Sequence, residues 1–200
     1  MALPVNAAKA ESLECFFVEI SHYIYGGDTA LHLAAAAYRR PMAELLVAKG
    51  ADCRARNRRG ATPLHYAADG RGVDESAQSE TIEYLVSVGA DPNAEDKSGV
   101  AALHRAVRTR STSAVKTLLD AGANLRQRNK SGATPLHLAV QTTGASGSGA
   151  DESRARQEAI IRLLFDRGAK LSDRDANGKT AAQAATGKRI REFLTTLNQV

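Results

Sequence analysis

A short motif ending in histidine recurs four times along the 200-residue chain. A Gly-Ala pair also recurs in constant register, and a further glycine follows ten residues after each pair, at Gly60, Gly99, Gly132 and Gly178. Because self-similarity at a period of this size is the signature of a repeat architecture, the pattern predicts a solenoid of stacked units. The motif copies are Thr29-Ala-Leu-His32, Thr62-Pro-Leu-His65, Ala101-Ala-Leu-His104 and Thr134-Pro-Leu-His137, with histidines 33, 39 and 33 residues apart.

Two helices are expected in each unit. After each motif, apolar residues recur at three- and four-residue spacing, as at Leu64, Ala67 and Ala68, which is typical of an amphipathic helix. A second apolar stretch precedes each Gly-Ala pair, whose glycine suits a helix C-terminus because it tolerates a positive φ. The polar residues that follow are typical of a tight turn or hairpin. The second helices are predicted over Ala43–Lys49, Thr81–Val88, Ala114–Ala121 and Ala159–Arg167.

These motifs resemble the ankyrin-repeat family. The resemblance is carried by Thr62-Pro-Leu-His-Tyr-Ala-Ala68, by Thr134-Pro-Leu-His-Leu-Ala139 and by Gly89-Ala-Asp-Pro-Asn-Ala94. It covers about residues 24–200 and implies an all-α fold, an ankyrin-repeat solenoid of stacked helix-turn-helix units with projecting β-hairpin loops. About five units are expected, starting near Gly27, Gly60, Gly99, Gly132 and Gly178.

The segment 1–23 precedes the first full motif and is expected to cap the open end of the stack. Leu13, Phe16, Phe17 and Ile20 recur at helical spacing, which predicts an amphipathic helix over residues 6–23. The alternative is a helix that binds a partner, which would require the apolar face to stay exposed.

Two units are longer than the others, with insertions near residues 70–79 and 142–155. Both are expected to lie between the two helices of their unit, outside the stacked core. Because the entropy of closing a loop grows slowly with its length, we interpret them as tolerated extra length. A second contact surface is the alternative.

The sequence does not indicate catalysis or metal binding. The motif histidines occupy equivalent positions in units about 8–10 Å apart, whereas zinc needs each nitrogen within about 2.1 Å. Each imidazole is expected to hydrogen-bond at its helix start and to the inter-repeat turn instead. Ser146 and Ser148 lack the flanking glycine of a nucleophile elbow, and Gly178-Lys-Thr180 lacks the earlier glycine of a phosphate loop. We therefore expect a non-enzyme without cofactor or metal.

Charge and composition indicate the kind of partner. The net charge is +5, but residues 1–100 sum to −4 and residues 101–200 to +9, which favours an anionic partner. No apolar run approaches 18 residues, so no membrane span is expected. Cys15 and Cys53 form no CxxC pair and are both expected to be inert, reduced thiols. We expect a cytoplasmic monomer.

The family resemblance implies that a partner docks on the concave surface, on the hairpin tips and the first helices. Cations dominate there, and further arginines (Arg54, Arg56, Arg126 and Arg128) lie on the approaches to the tips. Because the repeat framework is not expected to need these cations, we predict a protein-interaction scaffold that binds an acidic protein segment. A solvated charged face without a partner is the alternative. The predicted partner-binding residues are Arg58, Arg59, Tyr66, Asp69, Lys97, Arg108, Lys130, Gln141 and Lys179.

Two other functions stay open at this point. The arginine-rich tips would also attract nucleic acid, but they lack the interleaved aromatic residues that stack on bases, so nucleic acid is the less favoured partner. The chain could also be a structural module of a larger effector system, with its activity elsewhere.

Overall fold

A computed structural model describes residues 15–17, 22–70, 74–141 and 150–197 of the protein. Over these ranges the chain forms successive helix pairs joined by short turns. The helices are α1 (Ala30–Ala36), α2 (Arg40–Ala48), α3 (Pro63–Ala67), α4 (Glu75–Ser87), α5 (Ala102–Thr109), α6 (Thr112–Asp120), α7 (Pro135–Ala139), α8 (Ala150–Asp166), α9 (Ala181–Ala184) and α10 (Lys188–Leu197).

The helices are arranged in two layers. The first helices of successive units, α1, α3, α5 and α7, pack on one another, and the second helices α2, α4, α6 and α8 form the other layer. The two helices of a unit also pack together, as α5 does with α6. The pair α9 and α10 extends the stack by contacts with α7 and α8. The predicted all-α solenoid is confirmed.

The core lies between the two layers and is built from leucine and alanine. Small side chains such as Ala35, Ala67 and Ala106 are fully buried on the first helices, which lets neighbouring helices approach closely. The motif leucine of each unit points into the same core with at most 1% of its surface exposed. These leucines are Leu31, Leu64, Leu103 and Leu136.

The motif histidine explains why each first helix begins where it does. In unit two, Thr62 is extended and Pro63 opens the helix, where its fixed φ suits the first turn. His65 Nδ1 accepts hydrogen bonds from the Thr62 amide (3.1 Å) and hydroxyl (2.9 Å), and Nε2 donates to the Val100 carbonyl of unit three (2.8 Å). His32 and His137 make equivalent bonds, so the predicted structural role is confirmed at these three histidines. At His104 only the bond at the helix start is present, from the Ala101 amide to Nδ1 at 3.1 Å, and the predicted bond of Nε2 to the next turn is not made.

The second helices end at the predicted glycines but begin earlier than predicted. Gly50, Gly89, Gly122 and Gly168 follow the four helices with φ between +86° and +100°. Helix α4 begins at Glu75 rather than Thr81, because Asp74 Oδ1 caps it by accepting from the Ser76 and Ala77 amides at 3.0 and 3.1 Å. The first turns of these helices lack the apolar pattern used for the prediction, so the predicted starts lie too far along the chain.

The insertions lengthen the second helices: α4 has 13 residues and α8 has 17, against nine in α2. Gln78, inside the first insertion, is fully buried. Its Nε2 donates to the Ala67 carbonyl (2.9 Å), and its Oε1 accepts from the Ser111 hydroxyl (2.6 Å). The expectation that both insertions lie between helices is therefore wrong at 75–79 and 150–155, and the expectation that they lie outside the core is wrong at Gln78, whereas residues 151–155 are exposed or half-buried. Residues 71–73 and 142–149 are not among those described.

The N-terminal segment contains paired strands where a helix was expected. Strands β1 (Cys15–Phe17) and β2 (His22–Ile24) are antiparallel, with Phe16 opposite Tyr23. The helix prediction for 6–23 is wrong at these residues, because aromatic and β-branched side chains favour extended backbone there. Residues 6–14 and 18–21 lie outside the described ranges.

Candidate partner-binding surface

The hairpin tips at Gly60, Gly99, Gly132 and Gly178 are each closed by an asparagine or aspartate three residues before the glycine. In the Gly60 tip, Asn57 Oδ1 accepts from the amides of Arg59 (2.9 Å) and Ala61 (3.0 Å). The Gly60 amide donates to the Asn57 carbonyl at 2.8 Å and completes the turn. The later tips use the same geometry, so the backbone of every tip presents its side chains alike. The equivalent residues there are Asp96, Asn129 and Asp175.

Neighbouring tips are joined by backbone hydrogen bonds, which we call the tip ladder. In each case an amide two residues before a tip glycine donates to the carbonyl just before the preceding tip glycine. The ladder fixes the spacing and direction of successive tips. Its bonds are Arg58 to Gly26 (2.7 Å), Lys97 to Arg59 (2.9 Å), Lys130 to Ser98 (3.0 Å) and Ala176 to Ser131 (3.1 Å).

The ladder aligns three cationic side chains, which we call the tip row: Arg58, Lys97 and Lys130. All three occupy the same tip position and are exposed. The row ends at Ala176, which stands at the equivalent position of the Gly178 tip. The tip row is therefore a periodic cationic edge with one charge per unit.

A cavity of about 490 Å³ lies between the Gly60 and Gly99 tips and the first helices behind them. We call it the groove. Five cationic side chains line it, against two carboxylates. Its lining residues are Tyr25, Arg58, Arg59, Asp69, Asp96, Lys97, Ser98, Val100, Arg105 and Arg108.

Arg105 pairs with both carboxylates of the groove. Its Nη1 lies 3.3 Å from Asp69 Oδ2 and its Nη2 lies 3.2 Å from Asp96 Oδ2. Burial alone would raise the pKa of Asp96, but bonds from the Ser98 and Val100 amides and from Arg105 hold that pKa below its usual value. Because the five cations of the lining outnumber its two carboxylates, the electrostatic character of the groove is positive.

The structure brings five of the predicted partner-binding residues together around the groove: Arg58, Arg59, Asp69, Lys97 and Arg108. Lys130, Gln141 and Lys179 are exposed but lie outside the groove lining. Sequence analysis missed Tyr25, Asp96 and Arg105. Arg105 had a usable signal, because it directly follows the motif histidine of unit three and so belongs to the first-helix face.

Tyr66 is a structural residue, and its predicted role in partner binding is wrong. Only 1% of its surface is exposed. Its hydroxyl donates to the Asp28 carboxylate (2.7 Å) and accepts from Asn57 Nδ2 (3.0 Å), which also donates to Asp28 at 2.8 Å. Burial and the nearby Asp28 carboxylate raise the pKa of Tyr66. A side chain committed to this buried network offers nothing to a partner.

The arginines on the approaches brace the tips, so the expectation that the framework does not need them is wrong. Arg56 Nη1 donates to the Gly60 carbonyl of its own tip (3.1 Å) and to the Glu95 carbonyl of the next unit. Arg128 bonds the Gly132 and Arg174 carbonyls in the same way. The other two also reach the next unit, Arg54 at the Gly89 carbonyl (2.8 Å) and Arg126 at the Asp173 carboxylate (3.1 Å).

Buried His65 makes stability depend on pH. Burial lowers the pKa of His65 to about 4, and the Arg105 guanidinium adds to the effect. An unfolded imidazole titrates near pH 6.5, so between about pH 6.5 and 4 the unfolded chain binds a proton that the folded chain excludes. Stability present above pH 6.5 is therefore lost as the pH falls through this window.

We expect His65 to contribute about 2 kcal/mol to the loss of stability between pH 7.5 and 5. Urea unfolding at both pH values measures it, with His65→Gln as the comparison, because Gln183 fills the histidine position in unit five and accepts from the Thr180 amide at 2.9 Å. The variant should lose about 2 kcal/mol less than the native protein. An unchanged pH dependence in the variant would show that His65 does not titrate as stated.

The stacked helix pairs and the histidine-capped motif agree with the family that the sequence matches. A family model described as ankyrin repeats (3 copies) matches residues 5–96 and 73–148. The chain belongs to the ankyrin-repeat family. Ankyrin repeats generally mediate protein–protein interactions and are typically non-catalytic. No curated protein matches the chain significantly.

Two other features are missing from the described part of this ankyrin-repeat chain. No group of three or more histidine, cysteine, aspartate or glutamate residues there is placed to hold a metal ion. None of the described helices has both the length and the apolar composition needed to cross a bilayer.

Proposed function

We propose that the protein is a non-catalytic scaffold that binds an acidic segment of another protein along its hairpin tips and first-helix faces. The observation that carries the proposal is the tip row, Arg58, Lys97 and Lys130, held in register by the tip ladder. A rigid array of like charges favours a partner of opposite charge and disfavours one of the same sign.

The spacing of the tip row suits an extended segment. Units of a helical stack lie about 8–10 Å apart, and a polyproline II segment advances about 3.1 Å per residue with three residues per turn, so every third side chain lies on the same face. An acidic residue at about every third position of the partner would therefore face one cation of the row. We propose a segment with this periodicity as the preferred ligand.

Nucleic acid is the less suitable partner for this surface. Base stacking requires accessible aromatic faces. Tyr66 is buried, and the Tyr25 ring in the groove is covered on one side by the Arg59 guanidinium, 4.0 Å from the ring centroid. The charge of the tips supports nucleic-acid binding without supplying base contacts.

The experiment is charge reversal at the tips. The triple variant Arg58→Glu, Arg59→Glu and Lys130→Glu should bind a fluorescein-labelled, glutamate-rich peptide at least about 10-fold more weakly than the native protein, mainly through slower association. The matched control reverses three cations on the second helices, Lys116, Arg154 and Arg162. Circular dichroism and urea unfolding should show that both variants remain folded.

The proposal fails if the tip and control variants weaken binding equally, or if neither changes it. A labelled single-stranded DNA of equal charge, titrated at increasing salt, tests the alternative. Tighter binding of the DNA, with a steep linear fall of log affinity against log salt, would favour nucleic acid over a protein segment.

We also propose a cytoplasmic location. Cys53 is a free thiol whose Sγ donates to the Val88 carbonyl at 3.3 Å, and burial raises the pKa of that thiol. A cysteine in this protonated form is less reactive than a thiolate and suits a reducing compartment.

A further inference from the structure

Two of the groove cations are held firmly by neighbouring groups. Arg105 is 11% exposed and bridges Asp69 and Asp96 across the two units. The Arg59 guanidinium lies 4.0 Å above the Tyr25 ring, and this cation–π contact fixes its position at the rim. These two guanidinium groups form the rigid part of the groove.

Arg108 is held more loosely. Its side chain is 55% exposed, and its Nη2 lies 3.5 Å from Asp69 Oδ2, the oxygen that Arg105 contacts at 3.3 Å. The Asp69 carboxylate therefore forms ion pairs with two arginines at once. An ion pair with one such exposed partner is weak, so Arg108 can exchange Asp69 for another carboxylate at little cost.

The net charge of the groove is positive, which favours the binding of an anion. Its lining carries five cations and two carboxylates, and both carboxylates are already bonded to Arg105. Lys97 is exposed on the Gly99 tip at the same cavity. An anionic side chain entering between Lys97, Arg59 and Arg108 would meet donors from both tips and from helix α5.

We infer that the groove is the anchoring subsite for one aspartate or glutamate side chain of the partner segment, and that Asp69 competes with this carboxylate for Arg108. The inference rests on the proposed function and adds to it a ligand group and a residue that limits affinity. Asp69, which sequence analysis expected to contact the partner, acts against binding. The Arg guanidinium suits the planar carboxylate because it donates in a fork.

The test compares Asp69→Asn, Arg108→Gln and the double variant, with the glutamate-rich peptide as probe. Asparagine keeps an oxygen that accepts from Arg105 but removes the charge that holds Arg108. We expect Asp69→Asn to bind the peptide about 2- to 5-fold more tightly, the range that corresponds to one exposed ion pair. Arg108→Gln should bind it about 3-fold or more weakly. In the double variant the gain from Asp69→Asn should disappear, because it requires Arg108.

Three outcomes would overturn the inference. The first is Asp69→Asn binding no more tightly than the native protein while urea unfolding shows it folded. The second is the gain persisting in the double variant, which would mean that general charge and not Arg108 causes it. The third is a peptide with phosphoserine in place of glutamate binding while the glutamate peptide does not, which would make the carboxylate assignment wrong.

The outcomes also separate this inference from the proposed function. If the native protein binds no acidic peptide, the proposed function fails. If it binds one, and reversal at Arg58, Arg59 and Lys130 weakens binding while the Asp69 and Arg108 variants have no effect, only the competition inferred here fails.

Discussion

Replacing Leu103 by alanine is expected to lower the free energy of unfolding by about 2–5 kcal/mol, as other large-to-small core substitutions do. Leu103 is 1% exposed on α5, which has helices packed on it from the units before and after. A cavity there loses contacts on both sides. Leu64→Ala and Leu136→Ala should have effects in the same range, because both leucines hold the same buried motif position.

Urea unfolding of the three variants measures the effect. Leu45 on α2 offers the control, since it is 53% exposed, and Leu45→Ala should change stability by less than about 1 kcal/mol. Losses below about 1 kcal/mol at all three motif positions would contradict the packing of the first helices.

The repeat made most of the fold predictable from the sequence. Four copies of one motif in constant register specify a stack of units. In each unit the motif histidine marks the start of the first helix, and the glycine of the Gly-Ala pair marks the end of the second. These signals are local, so they can be recognised without knowledge of the neighbouring units. The starts of α4 and α8 were not predictable in this way, since their first turns are polar and are held by contacts such as that of Gln78 with Ala67.

The candidate site was less predictable, because the exposure of a polar side chain depends on the neighbouring units. Tyr66 and Arg105 occupy the same position, directly after the motif histidine, yet one is buried against Asp28 and the other bridges two carboxylates. Arg56 carries a charge typical of a surface residue but bonds a carbonyl 39 residues further on. The position and charge of the surface could be predicted from the sequence. The structural roles of these residues could not, because they depend on contacts between packed units.

Substituting Gly99 by alanine is expected to destabilise the protein by about 2–5 kcal/mol, for two separate reasons. Gly99 has φ +71°, a left-handed conformation that is about 1–2 kcal/mol less favourable for alanine. A Cβ on Gly99 would also lie 2.9 Å from the Lys130 amide nitrogen, which donates to Ser98 in the tip ladder. Such crowding in packed structure costs about 1–3 kcal/mol more.

Gly178→Ala is the control, because it carries only the first of these two costs. Gly178 has nearly the same conformation, φ +73°, but a Cβ there meets nothing within 4 Å. We therefore expect it to lose only the conformational part, about 1–2 kcal/mol. The difference between the two variants in urea unfolding measures how closely the tips approach. Because the same approach sets the register of Lys97 and Lys130, Gly99→Ala should also weaken binding of the acidic peptide, and Gly178→Ala should not. Equal losses of stability in the two variants would mean that the ladder does not fix the tips.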